Sequence, residues 1–131
     1  MAYILVAEDD ELQADSMRMC LAGQGHRVAV VPDGQTLIDR THEAPPDVIV
    51  LDLMMPICSG FEALERLCQL YGGPVVPVIV VTAARDTGCL LEALRGGADD
   101  YLRKPFHPRE LAHRVGRILT AQPCRRSGPP R

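Results

Sequence analysis

Four short aliphatic runs punctuate the chain: Tyr3 to Ala7, Arg27 to Val31, Val48 to Leu51 and Val78 to Val81. A run that is apolar at nearly every position suits a strand covered on both faces, not one with a wet side. Helical periodicity fills the gaps. Leu12 to Ala22 reads as a helix with Leu12, Met17, Cys20 and Leu21 near one side, stopped by Gly23 and Gly25. Pro32-Asp33-Gly34 turns the chain, and Asp33 can cap a helix from Gln35 to His42 that ends before Pro45-Pro46. Gly60 to Tyr71 carries Phe61, Leu64, Leu67 and Cys68 on one face and stops at Gly72-Gly73-Pro74. Asp86 to Arg95 is closed by Gly96-Gly97, and Asp100-Tyr101-Leu102 marks a brief fifth strand. Pro108 to Thr120 is the last helix, with Leu111, Ala112, Val115, Ile118 and Leu119 on a single face. Five strands alternating with five helices predict an α/β fold, a doubly wound open parallel sheet with helices on both faces.

At 131 residues this is one ordinary domain, and with no Trp and two Phe its core must be mainly aliphatic. The net charge is −3, but the last eleven residues carry three Arg and no acid, which leaves the body before them near −6. A body that acidic suits metal ions or basic partners better than phosphate backbones. The five cysteines (20, 58, 68, 89 and 124) are odd in number and form no C-x-x-C pair, so they read as reduced thiols of a cytoplasmic protein. The apolar start meets acids at once and lacks a basic leader, and no run approaches the roughly 20 residues that span a bilayer.

Sites in an open parallel sheet form beyond the carboxyl ends of the strands. There the sequence delivers Glu8-Asp9-Asp10 after the first strand, Asp52 after the third, Thr82 after the fourth, and Lys104-Pro105 after the fifth. Each alone has a plainer meaning. A lone acid after a strand is usually a cap or a solvated turn, and a lone Thr or Lys is ordinary in a strand or at a surface. Asp10 fits the start of a helix well and Glu8 fits it poorly. Together the residues point elsewhere. Clustered acids repel unless a cation offsets them, and carboxylate oxygens with room for water suit magnesium. Asp52 can then serve as a nucleophile toward a phosphoryl group, with Lys104 and the Thr82 hydroxyl spreading its charge and the small Ala83 and Ala84 leaving it room.

In this arrangement the chain resembles the response-regulator receiver domains of two-component signalling. The matching residues are Glu8-Asp9, Asp52 with Leu53-Met54-Met55-Pro56 and Gly60, Thr82-Ala83, and Ala98 to Phe106 (ADDYLRKPF). The intervals agree as well: 43 residues from Asp9 to Asp52, 30 to Thr82 and 22 to Lys104. The resemblance covers residues 3 to about 120. It implies a flavodoxin-like strand order 2-1-3-4-5. It implies that Asp52 accepts a phosphoryl group from a sensor histidine kinase, and that Glu8, Asp9, Asp52 and the Met54 backbone carbonyl hold Mg2+. It further implies that Lys104 contacts the phosphoryl group, that the Lys104–Pro105 bond is cis, and that Thr82 and Tyr101 form the switch.

The segments from GADDYLRKPF to PRELAHRV most resemble receivers that precede winged-helix DNA-binding domains. Those typically form a homodimer through the fourth helix, fifth strand and fifth helix. Asp100 and Arg114 are the expected cross-subunit ion pair, whereas Leu90 leaves Glu110 without its usual basic partner. Arg95 and Gly116 also depart from the pattern. On this reading residues 1–120 are the receiver and 121–131 a linker or disordered tail, with no nucleic-acid contact and no membrane segment in either. The alternatives are a stand-alone receiver, a pseudo-receiver that works by protein–protein interaction alone, and an aspartate-nucleophile phosphatase. The last wants an acid two residues past the nucleophile, where this chain has Met54.

Overall fold

A computed structural model describes residues 2–55, 59–71, 76–83 and 87–126. Pro56, Cys58, Gly72-Gly73-Pro74, Ala84 and Asp86, singled out above, lie outside these residues, as do the side chains of Cys68, Cys89, Leu90 and Cys124. Strands β1 (Tyr3–Ala7), β2 (Arg27–Val31), β3 (Val48–Asp52), β4 (Val78–Thr82) and β5 (Asp100–Arg103) alternate with helices α1 (Glu11–Gly23), α2 (Gly34–Glu43), α3 (Gly60–Tyr71), α4 (Thr87–Arg95) and α5 (Pro108–Arg126). The strands form one sheet in the order β2-β1-β3-β4-β5, and every pairing is parallel.

The period of two in each strand sorts the aliphatic residues to opposite faces. Leu5, Ile49, Leu51, Val78 and Val80 face Leu37, Leu64, Leu67 and Ala93 of α2, α3 and α4. Ile4, Val6, Val48, Val50, Ile79 and Val81 face Met17 and Leu21 of α1 and Leu111 and Val115 of α5. This two-sided covering is why the central strands are apolar without a break. Each fully buried Val, Leu or Ile contributes about 1.5–3 kcal/mol relative to exposure. Among the described residues no helix is long and apolar enough to cross a membrane.

Two aspartates fasten the base of the sheet in the same way. Asp47, just before β3, donates its backbone N–H to the Tyr3 carbonyl at 2.7 Å, and its carboxylate accepts the Tyr3 N–H at 2.8 Å. Asp99, just before β5, repeats this on Val78, with 2.8 Å and 2.9 Å. Each clamp pins the first residue of a neighbouring strand.

The structure alters two expectations, one in α1 and one in α5, and adds an ion pair between β5 and α5. Leu12 is 83% exposed; the buried stripe of α1 is Ala14, Met17 and Leu21. Helix α5 continues past Thr120 to Arg126. The apolar stripe ends at Leu119, yet the helix runs on through Ala121, Gln122 and Pro123, and nothing among the described residues explains a proline there. Asp100 and Arg114 pair within the chain, Oδ1 to Nη1 at 2.6 Å, because β5 and α5 lie side by side.

Candidate functional site: an acidic cluster at the carboxyl edge

The register brings the candidate residues to one edge. Asp52 is the last residue of β3 and pairs with Val81, so Thr82 stands one step beyond it on the next strand. Glu8 follows β1, and its N–H donates to the Val31 carbonyl at 3.0 Å, continuing the sheet for one more residue. Lys104 follows β5, and its N–H donates to the Thr82 carbonyl at 2.8 Å. Asp10 is taken up as the cap of α1, its Oδ1 accepting the Leu12 and Gln13 N–H groups. Asp33 caps α2 by accepting from Thr36. Glu8, Asp9 and Asp52 remain for chemistry, and one carboxylate oxygen from each lies within 4.8 Å of the other two.

Glu8 is 3% exposed and Asp52 4% exposed, whereas Asp9 faces solvent. Burying two carboxylates side by side requires a donor at each oxygen. Lys104 Nζ lies 2.7 Å from Glu8 Oε1 and 3.1 Å from Asp52 Oδ2. The Met54 N–H donates to Asp52 Oδ1 at 3.0 Å, and the Asp10 N–H to Glu8 Oε2 at 3.3 Å. Burial still pushes the Glu8 carboxyl up to about 7; the Lys104 hydrogen bond pulls it down and neighbouring Asp52 pushes it up again. Burial works against the Lys104 ammonium, but its bonds to Glu8 and Asp52 outweigh this and raise it above the usual lysine range. One ammonium does not balance three carboxylates. The donor set, three hard oxygens with Asp9 on the open side, fits a divalent cation of the magnesium type.

The remaining candidates are arranged around this centre. Thr82 is fully buried, and Tyr101 on β5, opposite Val80, is 38% exposed. The Lys104–Pro105 peptide is cis. The Met54 side chain is 64% exposed two residues after Asp52, and Ala83, which follows Thr82 in the chain, is exposed as well. A cavity of about 400 Å3 adjoins the site, lined by Gln13, Ser16 and Met17 of α1 and by Lys104, Pro105 and Phe106 among others.

Two features escaped the sequence reading. Lys104 already bridges Glu8 and Asp52, so it acts as a resident countercharge to both. Gly60, at the start of α3, lies so close to the Asp52–Leu53 peptide that a Cβ there would come within 2.5 Å of the Asp52 carbonyl oxygen and of the Leu53 Cα. Its N–H donates to the Leu53 carbonyl at 3.0 Å. The glycine in the DLMMP-x-x-x-G pattern is the only trace of this contact in the sequence.

The sequence profile of the response regulator receiver domain matches residues 4–116. The DNA-binding response regulator MtrA of Mycobacterium tuberculosis H37Rv is 39% identical over 112 residues, covering 86% of this chain and 48% of MtrA. The transcriptional regulatory protein CreB of Escherichia coli K12 is 37% identical over 116 residues, covering 88% of this chain and 50% of CreB. The chain thus spans about half the length of these curated relatives. The receiver domain of the Francisella response regulator 1452 superposes with a TM-score of 0.86 at 33% identity, covering 92% of this chain and 98% of that one. A sheet of this order, this acidic edge and these likenesses agree: the chain belongs to the response regulator receiver domain family.

Proposed function

We propose that the chain is a phosphorylation-controlled switch in which Asp52 accepts a phosphoryl group from a phosphohistidine on a sensor histidine kinase. The observation that carries this reading is the convergence of Lys104 and of the Glu8-Asp9 pair on Asp52 from two other segments of the chain. An Asp52 carboxylate oxygen forms the new bond to phosphorus as the phosphorus–nitrogen bond breaks, and that bond's electron pair returns to the imidazole. Lys104 turns its ammonium toward the transferred oxygens, and the Met54 N–H holds the carboxylate in place. Glu8, Asp9, Asp52 and the Met54 carbonyl would hold Mg2+, which when bound offsets the charge of the acids and of the phosphoryl group. The cavity beside Lys104 gives the donor room to approach.

On this reading Thr82 and Tyr101 respond to the new anion, a two-state change driven by local charge. The protein turns nothing over beyond its own phosphorylation and hydrolysis. Residues 1–120 act as the receiver in the cytoplasm, and residues 121–131, which α5 enters, lead toward an effector. The names of MtrA and CreB make control of transcription the output of choice, with DNA contacted by a separate domain.

Incubation with Mg2+ and a small acyl phosphate, followed by intact mass measurement, tests the core of this. One phosphoryl group per chain is expected, and none after Asp52→Asn. Stoichiometric labelling of the Asp52→Asn protein overturns the assignment.

A further inference from the structure

Arg114 holds the peptide groups on both sides of Tyr101. Its Nη1 donates to the Tyr101 carbonyl at 3.0 Å and to Asp100 Oδ1 at 2.6 Å. That same Asp100 oxygen accepts the Tyr101 N–H at 2.8 Å. The Tyr101 carbonyl is thus bound directly and its N–H through one intermediary. Nη2 lies 3.6 Å from Glu110 Oε2, one turn back on α5, which keeps the guanidinium aimed at β5. The group is partly enclosed, with the Arg114 side chain 26% exposed and that of Asp100 21%. A planar cation with several donors suits this task, because it can meet a carboxylate and a carbonyl together.

β5 is an edge strand, and among the described residues no strand lies on its outer side to fix Tyr101 through a ladder. Arg114 supplies an attachment from the helix instead. We infer that Arg114 is a positioning residue: with Asp100 it clamps the backbone of Tyr101 to α5 and holds the ring in its outward, 38% exposed resting position. The inference rests on the reading of Tyr101 as part of the switch and adds what restrains it. It also gives the Asp100–Arg114 pair a task inside one chain.

The test uses the whole chain labelled with 3-fluorotyrosine, which gives three fluorine resonances, with Tyr101→Phe assigning the relevant one. Arg114→Gln, without any ligand, is expected to move the Tyr101 resonance toward the position it takes in the wild type with beryllofluoride and Mg2+. The half-saturating beryllofluoride concentration should fall by about three- to ten-fold, because less of the free protein is held in the resting state. Glu110→Gln removes only the longer contact and should leave the resonance in place. If Arg114→Gln does not fold, Arg114→Lys carries the same expectation, since a single ammonium loses the two-point hold. A Tyr101 resonance that moves with beryllofluoride in the wild type but is unchanged by the Arg114 substitution overturns the clamp. A wild-type resonance that ignores beryllofluoride while Asp52 is still phosphorylated overturns the switch reading on which the clamp rests.

Discussion

Lys104 Nζ sits 2.7 Å from Glu8 Oε1, joining groups 96 residues apart in the chain. Since the same ammonium reaches Asp52, its removal takes the donor from two buried carboxylates at once. Lys104→Met is expected to slow phosphorylation of Asp52 by about 10²-fold or more, the usual size of a lost charge-stabilising donor. The folded state should lose about 1–3 kcal/mol, because each carboxylate keeps another donor. Labelling time courses by mass and urea unfolding measure the two effects separately.

Glu8 makes the protein pH-sensitive in a defined window. Its folded value of about 7 lies above the ordinary 4.5, so folding favours the protonated form. The resulting contribution to stability is complete below about 4.5 and is lost as pH rises toward 7. In chelator, the melting temperature should therefore decline across that interval. Mg2+ binding must displace the Glu8 proton, so metal affinity should increase with pH up to about 7 and then level off. Glu8→Gln should flatten the melting profile. Scanning calorimetry from pH 5 to 8.5, with and without Mg2+, reads both effects.

Gly60→Ala places a methyl where two backbone atoms stand 2.5 Å away, and neither can rotate aside as a flexible side chain would. The start of α3 or the Asp52–Leu53 peptide has to move. A loss of about 1–3 kcal/mol is expected, the range for overpacking. Phosphorylation should slow as well, because the displaced peptide carries the acceptor. Gly116→Ala, with open space around a position inside α5, should leave phosphorylation unchanged and stabilise the fold by about 0.5–1 kcal/mol.

Asp99→Ala removes the acceptor of the Val78 N–H at the foot of β4. An orphaned backbone donor there should cost about 1–3 kcal/mol, and Asp99→Asn, which keeps an acceptor oxygen, should cost less. Hydrogen exchange at the Val78 amide should quicken in the alanine variant. The rate of Asp52 phosphorylation should change little, since the clamp lies at the opposite end of the sheet.

Much of this was legible in the chain. The unbroken aliphatic runs foretold strands covered on both faces, and the residues just after them foretold the acidic edge. Helix faces were read less well. At about 100° per residue, Ala14, Met17 and Leu21 share a narrow arc, whereas Leu12 points nearly opposite to Ala14; hydrophobicity alone had placed Leu12 on the wrong side. Asp47 and Asp99 gave no signal, because a carboxylate that accepts from a neighbouring strand looks in sequence like any turn acid. The sequence singled out Asp100 and Arg114 as partners, but no pattern in one strand and one helix shows that they meet within a single copy. The end of α5 was set by its apolar stripe, which marks what packs and not where the backbone stops.

The strand order also acts as a ruler for side-chain length. Neighbouring strands lie roughly 4.8 Å apart, and the acidic cluster is centred on the carboxyl that ends β3. The residue supplied by β3 itself is the shortest acid, Asp52. The buried acid from β1, one lane away, is one carbon longer, Glu8. The cation from beyond β5, two lanes away, has the longest unbranched reach of all, Lys104. Exchanging Asp52 for a glutamate would leave the charge intact and put it in the wrong lane, and no shorter residue could carry the Lys104 charge across two lanes.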